Sequence, residues 1–171
     1  MKIYKDFKAY NNNSRIPKAL LNISFYININ YRISTFFSRI KLLFIAKIFW
    51  LINRIVFSID IDPRAKIGGG FKIIHGLGIV IGAYAIIGDN FRIYQGVTIG
   101  GNMGKTREYK NLLLHQPYIG DNVIISANAV VLGPLVLHDN CIVGACSVIT
   151  KDVDQGCVVV GNNKILNNKK N

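Results

Sequence analysis

Aliphatic residues recur every six positions through the second half of the chain, at Ile119, Ile125, Val131, Leu137, Val143 and Ile149. Four places after each stands a second inward-looking residue: Val123, Ala129, Leu135, Cys141, Ser147 and Val153. An earlier run, Ile81, Ile87, Ile93 and Ile99, keeps the same register with Ala85, Phe91 and Val97, and a weaker copy starts at Ile61 and Ile67. Neither a helical period nor a long strand alternation fits this spacing. A fixed six-residue period predicts very short strands wound into a parallel β-helix, in which each coil stacks on the last. No single repeat can bury its apolar face, so stability comes from neighbouring coils.

The period breaks twice. Ile67 and Ile81 are fourteen apart, two hexapeptides plus two residues, so the coil bulges around His75-Gly76-Leu77-Gly78. Glycines flanking a histidine at a bulge predict a close backbone approach. After Ile99 the repeat stops for nineteen residues, Gly100 to Tyr118, and resumes at Ile119. A polar, glycine-containing insertion thrown out of a tight coil reads as a functional loop.

The region before the repeat has a different pattern. It reads as helical, with a start near Pro17, a piece through Ile33 and a longer one from about Ser34 to Phe57. The chain divides into a basic helical region 1–57, a β-helix 58–155 carrying the inserted loop 100–118, and a C-terminal tail 156–171. Residues 1–57 carry ten Lys or Arg against one acid, 10 − 1 = +9, and residues 58–171 carry eleven against eight, 11 − 8 = +3. The formal net charge of +12 is therefore mostly N-terminal. Leu42–Phe57 is apolar, but its sixteen residues are interrupted by Lys47 and Arg54, which is short and costly for a membrane span. It reads as a helix packed on the solenoid or a neighbouring subunit, or as a basic amphipathic helix resting on an anionic membrane. No nucleic-acid motif accompanies the charge.

At 171 residues, half of them hydrophobic, the chain suits one domain with a small appendage. Cys141, Cys146 and Cys157 lack metal-ligand spacing, and Cys141 takes a coil-interior position, so a reduced buried thiol is expected. Reduced thiols without a visible signal peptide point to the cytoplasm.

Three segments carry a resemblance: Asp60–Gly68 (DIDPRAKIG), Ile74–Gly82 (IHGLGIVIG) and Gln95–Gly101 (QGVTIGG), with a Tyr31-Arg32-Ile33 element in the helices. From about Tyr31 to Gly161 the chain resembles the serine acetyltransferase branch of the hexapeptide-repeat acyltransferases. The resemblance implies a left-handed parallel β-helix, mostly β, assembled as a homotrimer that binds acetyl-CoA between neighbouring subunits. The left hand comes from the resemblance alone, since the general rule for parallel crossovers gives the opposite hand. Activity of this kind needs a base to take the proton of a hydroxyl as it attacks a thioester, a contribution of about 10²–10⁴-fold. By resemblance that base is His75, and Asp60, fifteen residues earlier, orients it, although Asp62 lies close enough to be confused with it. A carboxylate on the second ring nitrogen fixes the tautomer and stabilises the imidazolium. Backbone amides around Gly100-Gly101 would hold the oxyanion. Ala127 and Ala145 match the alanines that line the pantetheine arm, with Ser126 and Asn128 where many relatives carry glycine. Lys151 and Lys164 would meet the phosphates of CoA.

The departures concern the acceptor. Serine acetyltransferases place an aspartate before the catalytic histidine, where this chain has Ile74, and an Arg-His-Pro triplet after the loop, where it reads Leu114-His115-Gln116-Pro117. The zwitterion loses its fitted partners, and a site lacking such contacts discriminates poorly for it. With its short basic helical region, the chain also resembles colanic-acid and capsule acetyltransferases. That resemblance implies a sugar hydroxyl on a polysaccharide or lipid-linked precursor at the inner membrane face. Ile74 and the loop-flanking Tyr94, Tyr109 and Tyr118 would suit a sugar's mixed faces. L-Serine is the alternative acceptor. Two other classes are a zinc protein using His75, His115 and His138, which form no close pair, and a non-catalytic solenoid, against which the intact Asp60 and His75 argue. No metal is expected.

Overall fold

The structure is a computed structural model that describes residues 2–11 and 18–166. From Asp60 onward the chain winds into a left-handed parallel β-helix with three faces. The first face stacks Asp60–Ile61, Val80–Ile81, Thr98–Gly100, Val130–Leu132 and Val148–Ile149. The second stacks Lys66–Ile67, Ile86–Ile87, Tyr118–Ile119 and Val136–Leu137, and the third Lys72–Ile73, Arg92–Ile93, Ile124–Ile125, Ile142–Val143 and Val158–Val160. In-register pairing places each repeat aliphatic over its predecessor: Ile61, Ile81, Ile99, Val131 and Ile149 form one such column. All twelve repeat positions of the 119–153 run are buried, Ser147 included.

Pairing partners on the first face measure both breaks. The steps are 80 − 60 = 20, 98 − 80 = 18, 130 − 98 = 32 and 148 − 130 = 18 residues. Against a regular coil of eighteen, the histidine bulge adds two residues and the inserted loop fourteen. The loop is more ordered than its polar composition implies. Arg107–Tyr109 pairs antiparallel with Leu112–Leu114 across a Lys110-Asn111 turn in which both residues have positive φ, the conformation that two-residue hairpins favour. Two hydrogen bonds from Arg107 to Asp152, at 2.8 and 2.7 Å, tie the hairpin to the coil body.

Three helices underlie the coils: α1 (Lys2–Asn11), α2 (Ile23–Arg39) and α3 (Leu43–Val56), with a 3₁₀ turn at Lys18–Leu21. The expected start at Pro17 lies outside the described residues, and the chain breaks at Ile40–Leu42 rather than near Ser34. Lys41 takes a positive φ there, which ends α2 and reverses the chain. The lowest coil leaves backbone groups with no strand beneath them, and such groups need partners. Helical side chains supply them. Lys2 and Arg32 donate to Ile67 O, Asn28 to Phe71 O and Tyr31 to Ala65 O, while the Tyr10 hydroxyl accepts from Ile73 N. Asp6 accepts from Phe71 N and pairs with Arg32 at 2.8 Å, both side chains buried. At the other end, the segment expected as a tail from 156 contributes the strand Val158–Val160, which Lys164–Leu166 covers antiparallel.

Candidate functional site

The bulge lies at the corner where the third face turns into the first. Gly76 packs so closely on Ile27 and Ile59 that a Cβ there would overlap Ile27, and Gly78 has a φ of +64°. These two glycines let the backbone turn tightly and leave His75 exposed beside Tyr94, with ring centroids 6.2 Å apart. Above the bulge the corner repeats coil by coil. Gly96 N donates to Leu77 O, Asn128 N to Gln95 O and Cys146 N to Ala127 O, each at 2.9 Å. Leu77, Gln95, Ala127 and Ala145 therefore form one column, and the two alanines expected to line a pantetheine arm stand on the same edge as His75. The left-handed conformation that this corner requires falls on Gly78, Gly96, Asn128 and Cys146. Asn128 thus fills a turn suited to glycine.

Asp60 opens the first face at the same corner, since Gly78 N donates to Ser58 O at 3.0 Å and Asp60 N to Ile79 O at 2.8 Å. Its carboxylate is already engaged by α3. Trp50 Nε1 donates to Oδ1 at 2.8 Å, and Arg54 approaches Oδ2 at 3.2 Å with its guanidinium over the Trp50 ring. No hydrogen bond joins Asp60 to His75 among the described residues. Asp62 is committed elsewhere. Burial works against its charge, but hydrogen bonds from the Arg64 side chain and backbone outweigh this and hold the carboxyl below its ordinary range. Of the two carboxylates, Asp60 is the one at the histidine's corner.

The remaining expected residues sit at the opposite end of the first face. Gly100 O accepts from Gly133 N there, and Gly101 packs against His115 O. Gln116 fills the space beside Gly82, and its Oε1 accepts from Tyr84 N at 3.1 Å, so it serves that turn. His115 is exposed over Tyr84 and lines a cleft of about 350 Å³ with Arg64, Lys66 and Leu113. Lys151 borders a groove of about 550 Å³ on the same edge with Lys105 and Asn102, and Lys164 stands on the covering strand of the third face. One chain thus brings together His75, Asp60, Ile74, Tyr94, Ala127 and Ala145, and keeps Gly100, Gly101, His115, Gln116 and Lys151 apart from them.

The loop-flanking tyrosines divide likewise. Tyr94 faces His75, whereas Tyr109 packs on Tyr118 at 5.2 Å and near His138 at 6.4 Å, beside the second face. The three histidines contact three different tyrosines, and no group of three metal-binding side chains occurs among the described residues. Cys141 is buried and donates to Asp154 O at 3.0 Å, and burial pushes its thiol up. Sequence reasoning missed Trp50, Arg54 and Gln95. Gln95 Oε1 is buried without a partner in the histidine's column. Its place in the QGVTIGG segment was the available signal; α3 offered none, because its contact with Asp60 depends on how the helix docks.

Comparison with known proteins sharpens this picture. The family described as bacterial transferase hexapeptide (six repeats) matches residues 116–151. A serine acetyltransferase from Staphylococcus aureus strain Mu50 is 47% identical over 110 residues, 64% of this chain and 49% of that protein. The structure titled soybean serine acetyltransferase complexed with serine superposes with a TM-score of 0.83 at 31% identity, covering 96% of this chain and 68% of that one. A serine acetyltransferase in complex with CoA gives a TM-score of 0.82 at 26% identity over 96% and 68%. The chain spans about half the length of the curated relatives it matches. Those relatives bear the name serine acetyltransferase, not that of the capsule enzymes to which the short helical region pointed.

Proposed function

Because the chain belongs to the serine acetyltransferase-like branch of the hexapeptide-repeat acyltransferases, we propose that it is an acetyl-CoA-dependent O-acetyltransferase with His75 as its general base. The observation that carries this reading is the shared edge: an exposed His75 at the foot of the column that continues through Ala127 and Ala145. In the proposed reaction His75 takes the hydroxyl proton as the acceptor oxygen attacks the thioester carbonyl. The C–S bond then breaks, the acetyl ester forms, and the proton passes to the CoA thiolate. Asp60 would orient the imidazole by turning one carboxylate oxygen from Arg54 to the histidine while Trp50 retains the other. The opposite placement of His75 and the Gly100-Gly101 and His115 group supports a homotrimer, in which one copy's far edge meets its neighbour's histidine.

L-Serine is the acceptor that the comparisons favour, since the named relatives are serine acetyltransferases and one is titled as holding serine. A sugar hydroxyl is the second reading. It rests on Ile74 before the histidine and on Gln116 being spent on Tyr84, which leave a serine zwitterion without the partners its family supplies. The test is free-thiol release from acetyl-CoA, with L-serine in one arm and capsular or exopolysaccharide fragments in the other. We expect His75→Ala to lower turnover about 10²–10⁴-fold while CoA binding persists, and Asp60→Ala to lower it less. Full turnover by His75→Ala would remove this mechanism, and the arm that responds identifies the acceptor.

A further inference from the structure

Helix α3 meets α2 through a mixed side, on which Phe49 stacks against Phe37. Its buried residues are Ala46 and Asn53, seven apart on one stripe. Ser34 donates to Ala46 O at 2.6 Å and Asn53 to Ile27 O at 3.0 Å, so polar contacts fix that side to α2. The opposite stripe follows the 4-3-4 spacing of a single helix face: Phe44, Ile48, Leu51 and Ile55. All four are exposed, Phe44 at 80% and Ile55 at 74%. Leu42, Leu43 and Val56 widen the patch, and they too are exposed. Contiguous apolar surface of this kind marks an interaction site.

The surrounding charge identifies the partner. No acidic residue occurs between Asp6 and Asp60. Lys41 and Lys47 border the stripe, are exposed, and pair with no acid among the described residues. A second copy of this face would set those cations against their own images. An anionic bilayer answers both features, taking the apolar stripe between its headgroups and the cations at its phosphates. The fourteen residues of α3 extend about 21 Å, short of a hydrocarbon core of about 30 Å, and among the described residues no helix is long and apolar enough to cross a membrane. The helix would therefore lie in the plane of the surface.

We propose that the outward stripe of α3, with Lys41 and Lys47, is a docking surface for an anionic lipid bilayer. It stands whichever acceptor the enzyme uses. The test is co-sedimentation of the full chain with phosphatidylglycerol vesicles and, separately, phosphatidylcholine vesicles, alongside its solution mass without lipid. Binding to phosphatidylglycerol that weakens with added salt is expected, and Phe44→Asp with Ile55→Asp should reduce it about tenfold or more at unchanged mass and thiol release. Lys41→Glu with Lys47→Glu, on the polar border, should reduce it while leaving the apolar stripe whole. No binding to phosphatidylglycerol, or equal binding to both vesicles, would overturn the proposal. So would a fall in solution mass for the Phe44 and Ile55 variant, which would make the stripe a subunit interface.

Discussion

Inside the β-helix the buried positions are apolar with Ser147 as the polar exception, whereas beneath it the helices carry Asp6, Arg32, Asn28 and Asn53 into the interior. The coils satisfy their backbone by stacking, because every strand between the ends has a neighbour above and below. The lowest coil has none below, and polar side chains of α1 and α2, most of them buried, reach its free carbonyls and N–H groups. Burial in a repeat follows the period of the sequence. In a cap it follows the hydrogen-bonding needs of the edge being covered. The same contrast bears on α3, which exposes an apolar stripe to solvent and meets α2 through the hydrogen bonds at Ala46 and Asn53 as well as the Phe37–Phe49 stack.

The sharpest way to break this comparison is Asp6→Ala. It leaves the Arg32 guanidinium buried without its carboxylate and orphans Phe71 N, so a loss of about 3–5 kcal/mol is expected by denaturant unfolding. A midpoint near that of the parent protein would show that the helices do not cap the coils. Alkaline pH should act on the same region. Burial pushes the Tyr10 phenol well above its ordinary value, and the Tyr31 phenol is raised by burial as well. A group whose folded pKa is raised contributes stability that is present below its unfolded pKa, about 10 for tyrosine, and lost as pH rises toward the folded value. Stability should therefore fall above about pH 10, and less steeply in Tyr10→Phe once its lower starting stability is allowed for. Identical slopes in the two proteins would exclude Tyr10 as the source. The smallest effect is expected inside the coils. Among the described residues Ser147 Oγ reaches only Ala145 O at 3.5 Å, so Ser147→Ala should change stability by less than about 1 kcal/mol. A larger loss would mean that the coil interior depends on that hydroxyl.

Several features were legible in the chain before any coordinates. The six-residue period named the buried positions one by one, from Ile119 to Val153, and located both breaks. It could do so because each coil is built from local, repeated geometry, in which a residue's place in the period sets its direction. His75 and the two alanines were found by resemblance, and the stacked corner explains why residues fifty and seventy apart share an edge. The hairpin within the inserted loop went unread, since Lys110-Asn111 is a weak turn signal and the residues flanking it show no alternation.

By itself, then, the sequence determined the β-helix, its interior residues, its two irregularities and the histidine at the bulge, because all of these follow from a period that repeats within a few residues. Only the tertiary structure decided that Trp50 and Arg54 engage Asp60, that Gln116 serves the Gly82 turn while His115 faces a cleft, and that α3 turns its apolar side outward. Those outcomes depend on how separate elements dock, and docking is governed by the unpaired groups and shapes that each element meets, which no local pattern encodes.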